Sequence, residues 1–363
     1  GQLSILKFYE KRARRILPAL FLIIFAVSVV YPFINNHPSD LNDYGLSILS
    51  VLAFSSNIYF WTEAGYFGTA SEMTPLLHTW SLAVEEQFYI FLPLAILFFY
   101  ARHRKVLGFA FFIVVLISLG ISEWGARNSS EANFYLLPSR VWELFIGALC
   151  ALYYSSIKSS TFYSRHGKFL SCLSLSILVT CFFTFDSETL HPSILTLIPV
   201  LSVAAILLFS EEKSLANYIL TQRFLIIIGL LSYSIYLWHQ PILVVARTLY
   251  GQHLSILSKI AVLSVTLSLS WVSWKYVEAP YRHAERVSNR RLIKHIAIAA
   301  LISLSLAVVF LNNTIMRTFF EPVAMTRYSL IEEATDINAN APVSENCHLW
   351  SPIFDDAFIE SYD

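Results

Sequence analysis

The chain has 363 residues, of which 56% are hydrophobic and only 14% charged, with 25 basic side chains against 25 acidic ones. A soluble domain averages about 25% charged residues, so this composition excludes a water-soluble globular protein of that length. The zero formal net charge offers no attraction to nucleic acid, which is not expected as a partner. The 28 Phe, 19 Tyr and 8 Trp suit contact with membrane lipid and the aromatic belts at its interfaces.

A hydrocarbon core of about 30 Å needs about 17–25 apolar residues to cross as a helix. In chain order, nine runs are predicted to cross: Ile16–Ile34, Glu85–Tyr100, Val106–Ser122, Arg140–Tyr154, Phe169–Phe185, Ile194–Phe209, Phe224–Ala246, Ile260–Trp274 and Ile296–Leu311. A tenth run, Tyr44–Trp61, contains Gly45, four serines and Asn57. The positive-inside rule decides its path. If it does not cross, and residues 1–15 are cytoplasmic, 19 of the 25 basic residues fall on the cytoplasmic side; if it crosses, only 11 do. Tyr44–Trp61 is therefore predicted to be a re-entrant or interfacial segment on the outer face, where irregular backbone is tolerated only against protein or a wet cavity. The predicted fold is an all-α polytopic transmembrane bundle. The polar stretch from Asn312 onward is expected outside the cytoplasm as a linker.

Cys150, Cys172 and Cys181 lie in apolar runs and Cys347 stands alone in the tail. No Cys/His spacing points to a metal, and none is expected.

Ionisable groups at membrane depth are rare unless paired or functional, and four clusters qualify. In Lys11-Arg12-Ala13-Arg14-Arg15, Arg12 and Arg15 share a helical face (i, i+3). They are either a topology anchor or an anion clamp, since guanidinium forks match phosphate oxygens. The stretch His78-Thr79-Trp80-Ser81 through Glu85-Glu86-Gln87-Phe88-Tyr89 places Ser81, Glu85 and Tyr89 on one face. It is either an interfacial helix start or a site with acid/base groups. In Tyr233-Ser234-Ile235-Tyr236-Leu237-Trp238-His239-Gln240-Pro241, His239 is either a packing residue or a site residue with Tyr236 and Gln240 beside it. In Tyr276-Val277-Glu278-Ala279-Pro280-Tyr281-Arg282, Glu278 and Arg282 are either a helix exit or a structural or gating pair. Arg140 and Glu143 could be a simple ion pair. The topology puts Arg12, Arg15, Glu278 and Arg282 inside and His78, Glu85, Glu86, Arg140 and His239 outside. That division suits a phosphorylated cytoplasmic donor and an outer acceptor.

The stretches FYEKRARRILPAL, PLLHTWSLAVEEQFYIFLPL, SYSIYLWHQPI and YVEAPYR, in this order, resemble the acyltransferase-3 membrane proteins. The last span and polar tail resemble the subgroup that carries an extra helix and a periplasmic SGNH hydrolase-like domain, as in O-antigen acetylases. The resemblance implies an acyltransferase moving an acyl group, usually acetyl from acetyl-CoA, to a hydroxyl of lipopolysaccharide O-antigen or another envelope polysaccharide, in the bacterial inner membrane with a periplasmic C-terminal tail. It implies a membrane domain over 1–292, an additional helix over 293–311 and a linker over 312–363 into the fused SGNH-like domain. It implies two further helices ahead of Gly1, one bearing a His held to be catalytic, so that this stretch alone is inactive. Arg12 and Arg15 would bind the donor. His78, Glu85, Glu86 and His239 are the catalytic candidates, and Trp80, Ser81, Arg140, Tyr236 and Trp238 the substrate-binding ones. His78, a carboxylate of Glu85 or Glu86, and His239 are expected to meet in one outward-opening cavity. The rival reading is a transporter or flippase of envelope precursors, because buried His and Glu also mark proton relays.

Overall fold

Long apolar helices pack side by side, with shorter ones wedged between them. This computed structural model describes residues 4–35, 38–67, 73–100, 104–186, 188–210 and 214–312; all but the first residue of the stretch expected to be a linker lies outside the described residues. The helices, in chain order, are α1 (Ile5–Ile34), α2 (Pro38–Leu52), α3 (Ser56–Phe67), α4 (Thr79–Tyr100), α5 (Arg104–Asn128), α6 (Ser130–Tyr135), α7 (Leu137–Lys158), α8 (Thr161–Thr184), α9 (Leu197–Phe209), α10 (Leu215–Leu220), α11 (Arg223–Tyr250), α12 (Ile256–Ser273), α13 (Ala279–Arg282) and α14 (Asn289–Leu311). Among the described residues eight helical stretches are long and apolar enough to span a membrane, and Ile194–Phe209 is a shorter apolar ninth. The molecule is an all-α polytopic membrane bundle. Its large apolar residues that remain exposed, such as Phe182, Phe183, Leu257 and Leu301, are the side chains a lipid-facing surface requires.

Tyr44–Trp61 does not form one helix. α2 ends at Leu52, and Phe54 adopts a positive φ of 51°, a conformation rare for a bulky residue. The chain then restarts as α3 at Ser56. Neither helix, of 15 and 12 residues, reaches membrane length. α2 lies against α14, where Gly45 lets the two backbones approach; a Cβ there would stand 3.0 Å from that of Phe310. The break is held from α4: Gln87 Nε2 donates to the Phe54 carbonyl at 2.9 Å and to Asn57 Oδ1 at 2.8 Å. Asn57 in turn donates to the Tyr135 carbonyl at 3.2 Å.

The main core is built on α1. Ile16, Ala19, Leu20, Ile23, Ile24 and Val27 pack against Leu237 and Val244 of α11, Ala307 and Phe310 of α14, and Tyr44 and Ile48 of α2. α1 begins eleven residues before the apolar run, at Ile5. Its charged first turns therefore continue the same rod and carry their arginines to fixed positions against α4, α11 and α13.

Candidate functional site

α1 and α4 run antiparallel. Tyr9 of α1 donates its hydroxyl to the carbonyls of Tyr89 and Ile90 at 3.3 and 3.2 Å, which sets the level at which the two helices meet. Between them and α11 lies a cavity of about 210 Å³ lined by Arg12, Arg15, Ser81, Glu85, Tyr233 and Tyr236, among others. Glu85 and Arg15 are exposed and Arg12 is half-buried, so the charged groups face open space while the walls around them are protein. Neither arginine makes a hydrogen bond or ion pair with a carboxylate among the described residues. Their charges nonetheless bear on Glu85.

Tyr236 connects the wall of this cavity to the two histidines. Its hydroxyl lies 3.0 Å from Ser81 Oγ and donates to the carbonyl of His78. Beyond it the His78 ring lies 5.1 Å from the Tyr236 ring and 5.4 Å from the His239 ring, edge to face in both cases. His239 Nδ1 is 2.6 Å from the Tyr236 carbonyl. That arrangement puts the ring proton on Nδ1 and leaves Nε2 as an acceptor. His78 is 6% exposed and neither of its ring nitrogens has a hydrogen-bond partner among the described residues. A separate apolar cavity of about 300 Å³ is lined by Val27, Tyr31, Pro75, Trp238 and Pro241, among others.

The structure thus brings His78 and His239 together, along with Ser81 and Tyr236, although the two segments are far apart in sequence. It does not bring a carboxylate to them: no hydrogen bond or ion pair joins either histidine to Glu85 or Glu86 among the described residues. The reason is helical rise. Glu85 is seven residues beyond His78, about 10 Å along an α-helix, so it shares the face but not the depth and meets the arginines instead.

The remaining candidates form two separate groups. Arg140 is 8% exposed, with its guanidinium carbon 4.8 Å from the ring centroids of both Trp80 and Phe134. Its Nε donates to the Phe134 carbonyl at 2.6 Å, and its Nη1 stands 3.6 Å from Glu143, so the intrahelical ion pair is present. Glu278 is 0% exposed and ends a π-helical turn, Trp274–Glu278, between α12 and α13. Ser234 donates to one of its carboxylate oxygens, and Arg282 bonds the other at 2.8 Å.

Sequence reasoning gave no role to Arg14. This side chain is 3% exposed and all three of its guanidinium nitrogens are engaged: with Glu10 at 2.9 Å, the Tyr281 carbonyl at 3.2 Å, the Val287 carbonyl at 2.7 Å and Asn289 Oδ1. It ties α1 to the 281–289 segment. Its place between Arg12 and Arg15, on neither one's face, was the only signal available. Among the described residues no three His, Cys, Asp or Glu side chains gather as a metal site would require.

A bundle of membrane-length helices holding arginines, a carboxylate, a tyrosine and two neighbouring histidines between them defines a multi-pass membrane protein. Residues 1–275 match the acyltransferase domain of the acyltransferase-3 family, and the chain belongs to that family. It is 28% identical over 295 residues to a Staphylococcus aureus (strain COL) protein provisionally named an O-acetyltransferase, a match covering 78% of this chain and 48% of that protein. It is 26% identical over 295 residues to the O-acetyltransferase OatA of Staphylococcus aureus strain NCTC 8325, covering 77% and 48%. An uncharacterised Haemophilus influenzae protein is 31% identical over 222 residues, covering 58% of this chain and 89% of that protein. The chain spans about half the length of the Staphylococcus aureus relatives it matches. No solved structure matches it.

Proposed function

We propose that this chain forms the membrane part of an O-acetyltransferase that takes acetyl from acetyl-CoA and passes it to a hydroxyl of an envelope glycan such as the lipopolysaccharide O-antigen. The family and the names of its relatives support acyl transfer. The observation that carries the donor assignment is the cavity itself, in which Arg12 and Arg15 face open space and make no ion pair with a carboxylate among the described residues. An unspent guanidinium fork is what a pyrophosphate or ribose phosphate needs. The distribution of basic residues supports a cytoplasmic opening at the arginine end, in the inner membrane, with the tail in the periplasm.

Chemically, the acceptor hydroxyl oxygen attacks the thioester carbonyl carbon as His239 Nε2 takes the hydroxyl proton. The carbon–sulfur bond then breaks, and the departing thiolate takes that proton back. The products are the O-acetyl ester and free coenzyme A. A general base has to reach the proton it removes within hydrogen-bond distance or through one water, and Nε2 is the ring nitrogen left free for that. His78 would orient the hydroxyl, and Tyr236, which lines the donor cavity and bonds the His78 carbonyl, would border the path from that cavity to the histidines. Trp80, Arg140 and Trp238 would bind the acceptor, while Glu278 and Arg282 would hold the helix end beneath the arginine cavity.

The test is glycan chemistry in cells carrying the full-length gene. His239→Ala, Arg12→Ala and Arg15→Ala are each expected to abolish O-acetyl groups on the surface glycan, read by mass spectrometry, while the protein still inserts at normal level. Normal acetylation in the two arginine variants overturns the donor site, and normal acetylation in His239→Ala overturns the base.

A further inference from the structure

Arg12 and Arg14 stand two residues apart on α1 and are held in opposite ways. Arg14 spends its donors on one acceptor after another. Arg12 makes no hydrogen bond or ion pair among the described residues. Its guanidinium carbon instead lies 3.3 Å from the centroid of the Tyr89 ring and 5.9 Å from that of Phe8. These two rings are themselves edge to face at 6.1 Å.

A ring face attracts a cation through its quadrupole, but it offers no lone pair to the N–H edges. A guanidinium seated on a ring is therefore located without being neutralised, and its donors remain available to an anion. The main chain at Tyr89 is held against α1, because the Tyr9 hydroxyl bonds the backbone carbonyls of Tyr89 and Ile90, and the ring packs edge to face on Phe8. The seat is thus anchored to the helix that carries the arginine. Had Glu85 or Glu86 held Arg12 in an ion pair, an incoming phosphate would have had to displace a carboxylate.

We propose that the ring face of Tyr89 is a positioning element that holds Arg12 oriented for the phosphate oxygens of the acyl-CoA donor. This rests on the reading of Arg12 as a donor ligand. Such a seat acts on donor binding rather than on the chemical step, because the ring touches neither reacting carbon nor acceptor. Arg12 and Tyr89 are both half-buried, and a cation–π interaction between the exposed and desolvated limits is strong enough to change affinity by about tenfold.

The experiment is acetyl transfer by the purified full-length protein at varied acetyl-CoA concentration. Tyr89→Phe keeps the ring and is expected to keep the donor KM. Tyr89→Leu removes the ring at similar bulk and is expected to raise donor KM about tenfold with kcat held. A series of fluorinated phenylalanines at position 89 preserves shape while draining the ring quadrupole, and donor KM is expected to climb with each added fluorine. This series decides the matter even if the leucine variant fails to insert, since a packing role would leave it flat. A flat series overturns the proposal. Arg12→Ala run alongside separates the two failures. A raised donor KM there with a flat fluorine series sinks only the ring seat, whereas an unchanged donor KM sinks the reading of Arg12 as a donor ligand.

Discussion

Arg14→Ala is expected to loosen the bundle while leaving the donor cavity chemically intact. The side chain is 3% exposed and donates to the Tyr281 and Val287 carbonyls and to Asn289 Oδ1. Hydrogen bonds from a charged donor contribute about 1.5–3 kcal/mol each, but Tyr281 and Val287 are half-buried and Asn289 is exposed, so water replaces part of what the acceptors lose. A loss of about 3–5 kcal/mol follows. The ion pair with Glu10 is left out of that figure because solvent reaches it. Arg12 and Arg15 make no such bonds, so alanine at either position is expected to cost about 1 kcal/mol or less. The assay is thermal unfolding of the purified protein in detergent, followed by loss of helical signal and of monodispersity. A normal melting midpoint for Arg14→Ala refutes the reasoning. So does an equal fall for Arg12→Ala, because the three arginines would then not divide into one structural and two open ones.

Three further outcomes are expected. Glu278→Ala removes a fully buried carboxylate that takes bonds from Ser234 and Arg282, and should cost about 3–5 kcal/mol in the same melting assay; Glu278→Gln, which keeps an acceptor for Ser234, should cost clearly less. Gly45→Ala would place a methyl 3.0 Å from Phe310 Cβ and 3.2 Å from the Ala307 carbonyl, atoms that cannot swing aside, so an overpacking loss of about 1–3 kcal/mol is expected; wild-type melting would show that α2 does not lie on α14. Burial and the nearby Arg140 charge push His191, in the loop before α9, down to about 4. A histidine whose folded value lies below its unfolded one, about 6.5, binds fewer protons when folded. Its contribution is therefore present above about pH 6.5 and falls away as pH drops toward 4. The residue is exposed, so the effect is screened to about 1 kcal/mol or less. Stability curves of wild type and His191→Gln between about pH 7.5 and pH 5 should differ in slope, and parallel curves would contradict this.

The spans were legible because a membrane sets a length, and nothing but an apolar run of that length meets it. The interruption of Tyr44–Trp61 was legible for a related reason: serines, Gly45 and Asn57 cannot line a lipid-facing helix cheaply. The positive φ at Phe54 was not, because Gln87, which fixes the break, lies 33 residues away. The apolar run places the start of α1 too late, at Ile16, since a run of charges ends an apolar window without ending a helix. In the site, pairing His78 with His239 needed only the premise that two buried polar groups share one pocket. The expected carboxylate failed on depth, because seven residues of rise separate Glu85 from His78. Arg14 could not be told from its neighbours, since its partners Tyr281, Val287 and Asn289 lie more than 260 residues along the chain. The π-turn at Trp274–Glu278 left no mark in a periodicity that ordinary helix also satisfies.

Equilibrium binding of acetyl-CoA to the purified full-length protein tests the donor cavity most directly, because it requires neither acceptor nor turnover. The account predicts saturable binding by wild type. Replacing both Arg12 and Arg15 by alanine should weaken it at least about a hundredfold, since each substitution removes one charge-assisted hydrogen bond to the donor, with the melting midpoint little changed. Equal affinity in wild type and the double variant would contradict the account.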